Sequence, residues 1–437
     1  MSDPRLTLGR APMSRLQILV VIITIGLNAL DGFDVLSISF ASPGIAKNWG
    51  IDRAVLGVVL SMELIGMGLG SVLLGGLADK VGRRRTLIGC LCVMTTGMYM
   101  ATRATGVRDL SVWRVITGLG IGGMLAAINA VAAEFSNDKR RSLNVSLMAV
   151  GYPVGAVIGG SIAAIILRSH EWPAVFMFGA IVTAFFIPLV ALCVPESIPW
   201  LCRKQPPGAL IAVNRSLSRM GQGEIATLPD LESQIPSRSA NIFSVDLLQV
   251  TILVTAAYFL HITSFYFLLK WVPKIVVDMG FTPASAAGVL VWANVGGASG
   301  GIVLGLLSQR FGLKALTMLV LVMSTIMLAV FGTGQATLVQ LSLICAITGF
   351  FTNAGVVGLY GIFAQVFPTH ARATGTGFAV GIGRGGAMLA PIIAGYLFHV
   401  GYHLQFVATV MGAGSLAAAL ALWLLPFKGA SAPVSLR

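Results

Sequence analysis

The sequence predicts an all-α membrane protein with twelve transmembrane helices in two pseudosymmetric six-helix bundles. Three observations carry that prediction. Apolar residues make up 56% of the 437 residues and charged residues only 10%, and mean hydropathy is +0.88; a soluble chain would carry about a quarter charged residues. Apolar runs long enough for the ~20 residues of a helical span recur twelve times. Features of the first half return in the second at an offset of 230 residues.

Taken in order, the runs lie at about 16–40, 55–78, 86–103, 110–134, 142–167, 173–194, 246–270, 284–308, 313–332, 336–366, 371–398 and 403–426. They are too long for barrel strands. The first is too long for a signal-peptide core and holds two acids, so it reads as a retained span. Between the sixth and seventh the composition turns polar, with Arg203, Lys204, Pro206, Pro207, Gly208, Arg215, Arg219, Asp230, Glu232 and Arg238. The expected organisation is a bundle over 1–200, a linker over 201–243 and a second bundle over 244–437.

The net charge of +13 sits in short clusters between apolar runs, as topology signals do, and not in a nucleic-acid-binding face. One set of loops carries Lys80, Arg83, Arg84, Arg85, Lys139, Arg140, Arg141, the linker cluster, Arg310, Lys314 and Arg372, with Arg5, Arg10, Arg15 and Lys428 at the ends. The opposite set carries only Lys47, Arg53, Arg103, Arg108, Arg168 and Lys274. Both termini and the linker are therefore expected in the cytoplasm. Cys90, Cys92, Cys193, Cys202 and Cys345 lie in or beside spans with no metal-binding spacing, and read as small apolar residues. Neither a phosphate-binding G-x-x-x-x-G-K-[ST] loop nor a nucleophile–base pair is present, so neither ATP coupling nor an enzyme is expected, and no cofactor beyond protons as coupling ion.

Charge inside the spans points to function. Asp31 and Asp34 stand three residues apart in the first span and so share a helix face. Membrane acids cost roughly 2.5–3.5 kcal/mol each and mark pathways or relays. The repeat maps Gly75-x-Leu77-Ala-Asp79-Lys80-Val-Gly82 onto Gly305-x-Leu307-Ser-Gln309-Arg310-Phe-Gly312 and Ala149-Val-Gly151 onto Ala379-Val-Gly381. Duplicated halves place a ligand site near the bilayer midplane and permit alternating access. The same offset carries Asp31 to His261 and Asp34 to Ser264, so His261 is expected to face the cavity from the seventh span.

The motifs then accumulate. Gly75-Gly-Leu-Ala-Asp79-Lys-Val-Gly82-Arg83-Arg84, Arg114-Val-Ile-Thr-Gly118-Leu-Gly120-Ile-Gly122 and Pro195-Glu-Ser-Ile-Pro-Trp200-Leu resemble signatures of the major facilitator superfamily. Within it, Asp31-Gly-Phe-Asp34 and Arg372-Ala-Thr-Gly-x-Gly-x-x-x-Gly-Ile-Gly-Arg384 resemble the aromatic acid:proton symporters. The resemblance covers nearly the whole chain and implies a bacterial inner-membrane importer of benzoate-like acids, driven by protons. Two departures stand out. Ser308-Gln309 replaces the usual acid of the second-half loop, implying a weaker latch there. Gly151-Tyr-Pro-Val-Gly155-Ala-Val-Ile-Gly159-Gly160 resembles an antiporter motif but has Ala156 in place of Pro, which leans away from export.

Arg384 lies about twelve residues into its span, roughly 18 Å along the helix and so near the midplane; its guanidinium can hold a carboxylate by paired hydrogen bonds. No other acid is expected at that depth in the second half, which favours an external anion over a static ion pair. Asp31 and Asp34 are expected to carry the proton with Arg114 modulating them, against the reading of a static pair between spans 1 and 4. Glu63 is a gate, an auxiliary proton site or a substrate contact. His261 with Tyr258, Phe265 and Tyr266 suits an aromatic ring, or else packs the seventh span; Asn294 and Asn353 are further polar candidates. Asp79, Gly82, Arg83, Glu134, Arg141 and Arg372 are read, from the resemblance, as a cytoplasmic latch. Glycine faces at Gly66, Gly68 and Gly70 and at Gly296, Gly297, Gly300 and Gly301 allow close helix contact.

The expectation is thus a monomeric, multi-pass importer whose partners are a small aromatic carboxylate, protons and the bilayer. A symporter of another organic anion or a sugar acid is the nearest rival, and a non-transporting receptor on the same scaffold a more distant one.

Overall fold

The computed structural model describes residues 3–229, 242–334, 336–368 and 371–426. Asp230, Glu232, Arg238 and Lys428, used above for the linker and for topology, lie outside the described residues. The described residues form sixteen helices and no strand. In the first half these are α1 (Pro4–Arg10), α2 (Arg15–Trp49), α3 (Arg53–Leu73), α4 (Leu77–Val81), α5 (Arg83–Ala101), α6 (Val107–Glu134), α7 (Arg141–Ile166) and α8 (Pro173–Cys193). The short α9 (Ile198–Lys204) and α10 (Ala209–Arg219) follow, and then α11 (Val245–Asp278), α12 (Pro283–Leu307), α13 (Leu313–Gly332), α14 (Leu338–Val366), α15 (Arg372–His399) and α16 (Leu404–Trp423).

Eleven of these are long and apolar enough to cross a membrane. The twelfth span is α5, whose hydropathy is diluted by Arg83, Arg84 and Arg85 at its start. Helix starts follow local chemistry. Ser14 and Gln17 form a reciprocal capping box on α2, Asp52 caps α3 through the Val55 N–H, and Thr282 and Thr337 cap α12 and α14, each satisfying amides that the helix leaves open. Two helices outrun their apolar runs. α2 continues through Pro43 to Trp49 and α11 through Pro273 to Asp278, because neighbouring helices tolerate a proline inside a membrane span.

Each half packs as a bundle, with α2, α3 and α5–α8 in one and α11–α16 in the other. The glycine faces explain the closest contacts. Gly66 and Gly70 of α3 face the Val115 and Leu119 carbonyls of α6, and Gly118 and Gly122 return the contact to Glu63 and Met67. The second half repeats the device, Gly296 and Gly300 of α12 facing Ala346 and Phe350 of α14. A side chain at any of these positions would push against backbone. Gly68 differs, since it faces Met388 of α15 across the boundary between bundles.

The halves meet along α3–α15, α2–α11 and α7–α12. Calling the end that carries the termini and linker the linker side, the opposite end is the distal side. There Arg53 pairs with Asp278 at 2.9 Å, Asp52 with His399 at 3.1 Å, and Arg53 lies 5.1 Å over the Phe398 ring. Arg53, Trp271, Asp278, Phe398 and Tyr402 line a surface cavity of about 290 Å³ outside this closure.

Candidate functional site

Six ionisable side chains converge where the bundles touch. Asp31 and Asp34 of α2, Glu63 of α3 and Arg114 of α6 come from the first bundle, and all four are buried. Lys270 of α11, also fully buried, and the half-buried Arg384 of α15 come from the second.

Glu63 is the hub. Its Oε1 forms a close ion pair with Arg114 Nη2, and its Oε2 lies 3.6 Å from Lys270 Nζ, so it takes one cation from each bundle. No well-directed hydrogen bond reaches either Glu63 oxygen; charge alone holds it. Arg114 also donates to the Asp34 carbonyl at 3.1 Å, lies 3.0 Å from the Met98 sulfur and sits 5.1 Å from the Phe176 ring centre. Lys270 Nζ donates across the boundary to the Val35 carbonyl.

The ion-pair partner of Arg114 is Glu63, because the Gly66–Gly118 contact brings α3 and α6 together at that level. The static pair weighed between spans 1 and 4 thus gives way to one between spans 2 and 4, and the guanidinium still acts electrostatically on Asp34. Both Asp34 carboxylate oxygens and Asp31 Oδ1 have no hydrogen-bond partner. Asp34 points into the first bundle, towards Gly179 of α8, whereas Asp31 interacts electrostatically with Glu63 and with Arg384. The shared stripe thus splits between an inner and an interfacial position.

Arg384 Nη1 donates to the Met67 carbonyl of α3 at 2.9 Å. The acid within its electrostatic reach, Asp31, comes from the other bundle, which reasoning confined to the second half overlooked. Tyr258 and Tyr266 of α11 lie within the same reach of Arg384. Tyr258 shares a 3.0 Å hydrogen bond with Tyr360 of α14, which is 44% exposed on the linker side of the site. Phe265 stands edge-on to Tyr266, and Tyr152 of α7 interacts with Tyr266 across the boundary. Tyr152, Tyr360 and Lys270 were missed in the sequence. Lys270 ended an apolar run, three residues before Pro273 and four before Lys274, and so read as interfacial.

Other candidates lie elsewhere. His261 does not face the boundary: Nε2 lies 2.8 Å from the Thr352 carbonyl and Nδ1 2.9 Å from Ser415 Oγ, both inside the second bundle. The carbonyl can only accept, so Nε2 donates and Nδ1 accepts from the serine. Asn353 donates to the Gly297 carbonyl at 2.7 Å, tying α14 to α12, and Asn294 donates to the Leu290 carbonyl of its own helix. All three satisfy buried backbone or helix contacts.

At the linker end Arg83 joins Asp79 at 2.8 Å and Glu134 at 3.0 Å, and Arg203 of α9 reaches Asp79 at 2.8 Å. Gly82, at φ +110°, brings the chain against the Glu196 carboxylate, which accepts from the Arg83 amide at 2.7 Å. Trp200 Nε1 donates to the Asp79 carbonyl at 3.0 Å. Burial raises the Asp79 carboxyl, but hydrogen bonds from Arg83 and Arg203 outweigh it and hold the group below its usual 3.8. Arg141 belongs to a separate exposed pair with Asp138 at 2.9 Å, not to Glu134. Arg372, exposed at the start of α15, has no ion pair to this cluster among the described residues.

Comparison with known proteins agrees with this architecture. The family model of the Major Facilitator Superfamily matches residues 24–345 and 254–435. The chain belongs to that superfamily and is a transporter, not an enzyme. It is 27% identical over 415 residues to a gallate transporter of Pseudomonas putida, covering 94% of this chain and 92% of that one. It is 29% identical over 410 residues to a 3-(3-hydroxy-phenyl)propionate transporter of Escherichia coli (strain K12), covering 93% and 94%. A 4-hydroxybenzoate transporter of Pseudomonas putida is 27% identical over 416 residues, covering 94% and 92%. Among solved structures, the inward-open xylose transporter of E. coli superposes with TM-score 0.72 at 18% identity, covering 95% of this chain and 97% of that one.

Proposed function

We propose that this transporter imports a monocyclic aromatic carboxylate of the hydroxybenzoate type together with protons, across a bacterial inner membrane, with both termini and the linker in the cytoplasm and one chain as the transport unit. The observation that carries this reading is Arg384 at the boundary between bundles, beside Tyr258, Tyr266 and Phe265 and resting on a backbone carbonyl of the opposite half. A planar guanidinium suits a carboxylate, aromatic side chains suit its ring, and tyrosine hydroxyls suit ring hydroxyls. The relatives named for gallate and 4-hydroxybenzoate support the same substrate class.

The coupling follows from electrostatics. An inward-negative potential opposes a lone anion by about 2.3 kcal/mol per charge per 100 mV. One proton neutralises the monoanion, and further protons add electrical drive. Asp31 and Asp34, with carboxylate oxygens lacking hydrogen-bond partners, and the charge-held Glu63 are the groups to carry them, with Arg114 as the fixed cation of that bundle. Rocking of the two halves about the site would expose it alternately to each side. The test is uptake of radiolabelled 4-hydroxybenzoate by membrane vesicles, with unlabelled benzoates, aliphatic acids and sugar acids as competitors and a protonophore control. Protonophore-sensitive uptake blocked by benzoates alone supports the reading; uptake competed by aliphatic or sugar acids and not by benzoates overturns it.

A further inference from the structure

The six charges are divided unevenly. Three carboxylates and a single guanidinium belong to the first bundle, while Lys270 and Arg384 come from the second, with no carboxylate at their level among the described residues. Any movement that opens the distal side must draw α11 away from α2 and α3. It then breaks both Lys270 contacts, to Glu63 and to the Val35 carbonyl. Glu63 is left buried with Arg114 alone, beside Asp31 and Asp34.

We propose that Lys270 is a positioning residue whose pairing with Glu63 ties the distal side shut, and that distal opening exchanges the Lys270 ammonium for a proton on Glu63. The inference rests on the proton-coupled reading above and adds to it the group that decides when the proton is taken up. The proton comes from distal water as the ammonium withdraws, and leaves Glu63 for linker-side water when closure returns Lys270 to the carboxylate. The ammonium then faces the distal opening with Arg384 while an anion enters.

The surroundings fit such an exchange. The charged and titratable groups around Glu63 are Arg114 on α6, Lys270 and Tyr266 on α11, Asp31 and Asp34 on α2, Tyr152 on α7 and, through Asp31, Arg384 on α15. Among the described residues, Lys270 is the one cation of the second bundle that pairs directly with a carboxylate of the first at this depth. The distal pairs Arg53–Asp278 and Asp52–His399 are partly exposed, and such pairs contribute little. A buried pair is different, since removing one partner leaves the other charge uncompensated.

The experiment reads distal opening directly, without substrate. Ser39 lies one helical turn beyond Val35 on the same face of α2 and is fully buried, with no partner for its hydroxyl. A Ser39→Cys reporter in the full-length protein, purified in detergent, is labelled with a soluble maleimide, and the labelling of the chain without the reporter is subtracted. Lys270→Met is expected to raise the labelling rate about fivefold, and Lys270→Arg to return it to within about twofold of the parent. Glu63→Gln should match Lys270→Met, and the double variant should exceed neither. In the parent, labelling relative to free cysteine should rise as pH is lowered, and Glu63→Gln should lose that rise. An unchanged rate in both Glu63→Gln and Lys270→Met, or a double variant equal to the product of the singles, overturns the proposal. Should Lys270→Met fail to fold, Glu63→Gln and its pH response decide alone. Because no substrate enters, a failure of 4-hydroxybenzoate uptake would sink the substrate reading and leave the tie standing.

Discussion

Arg384 of α15 donates a 2.9 Å hydrogen bond to the carbonyl of Met67 on α3. The guanidinium is thus held by the opposite bundle, and on the proposed reading a substrate carboxylate takes it from there. The forked geometry makes a lysine a poor substitute. Arg384→Lys is expected to raise KM for counterflow about tenfold, and Arg384→Ala about a hundredfold, since hydrogen bonds to charged groups are worth about 1.5–3 kcal/mol each. Counterflow of labelled substrate in proteoliposomes, where no gradient drives the exchange, measures both.

Asp34 lies inside the first bundle with both carboxylate oxygens unpartnered. On the proposed reading its neutralisation removes a proton carrier while leaving the Arg384 hydrogen bond intact. Asp34→Asn should abolish protonophore-sensitive accumulation and leave counterflow within about twofold of the parent. A loss of counterflow would instead assign Asp34 to substrate binding.

His261 holds α11 to α14 and α16 through Thr352 and Ser415. Its loss should therefore appear as instability. His261→Ala leaves the Thr352 carbonyl and Ser415 hydroxyl without this partner, which costs about 1–3 kcal/mol. Thermal unfolding in detergent should register that loss, while KM in counterflow stays close to the parent value. A large KM change at unchanged stability would return His261 to the substrate site.

Asp79 links Arg83 and Arg203 in the cluster at the linker end. Its carboxyl is held below 3.8, so its contribution is complete above that value and fades only as pH falls through the lower folded one. Asp79→Asn should slow turnover by a constant factor across about pH 5–8 and leave KM nearly unchanged, because the group stays ionised throughout that range. Initial rates of vesicle uptake against pH provide the measure.

The twelve spans were legible because membrane insertion demands long apolar runs, and the motifs between them pointed to the Asp79–Arg83–Glu134 charge cluster and to Arg384. Boundaries fell short where the apolar runs ended, at about 40 and 270: Pro43 and Pro273 lie inside helices that continue to Trp49 and Asp278. That error hid Lys270, since two further turns of α11 turn an apparent surface lysine into a buried one. The 230-residue offset aligned His261 with Asp31 in sequence, but offset conserves position along a helix and says nothing of which neighbours pack there. The ion pair of Arg114 with Glu63 was not legible, because only the α3–α6 contact shows that Glu63 stands nearer to it than the aspartates.

The uneven allotment of charge has a consequence for fidelity. An empty carrier that swung open would have to pull unlike charges apart through a medium of low dielectric, where a close pair attracts by roughly a few kcal/mol even at an effective constant near 20. Protons alone satisfy one half and a bare anion alone satisfies the other. On the proposed reading, slippage of either by itself is discouraged by simple attraction, and the division of sign between the helices is what would bind the two cargoes together.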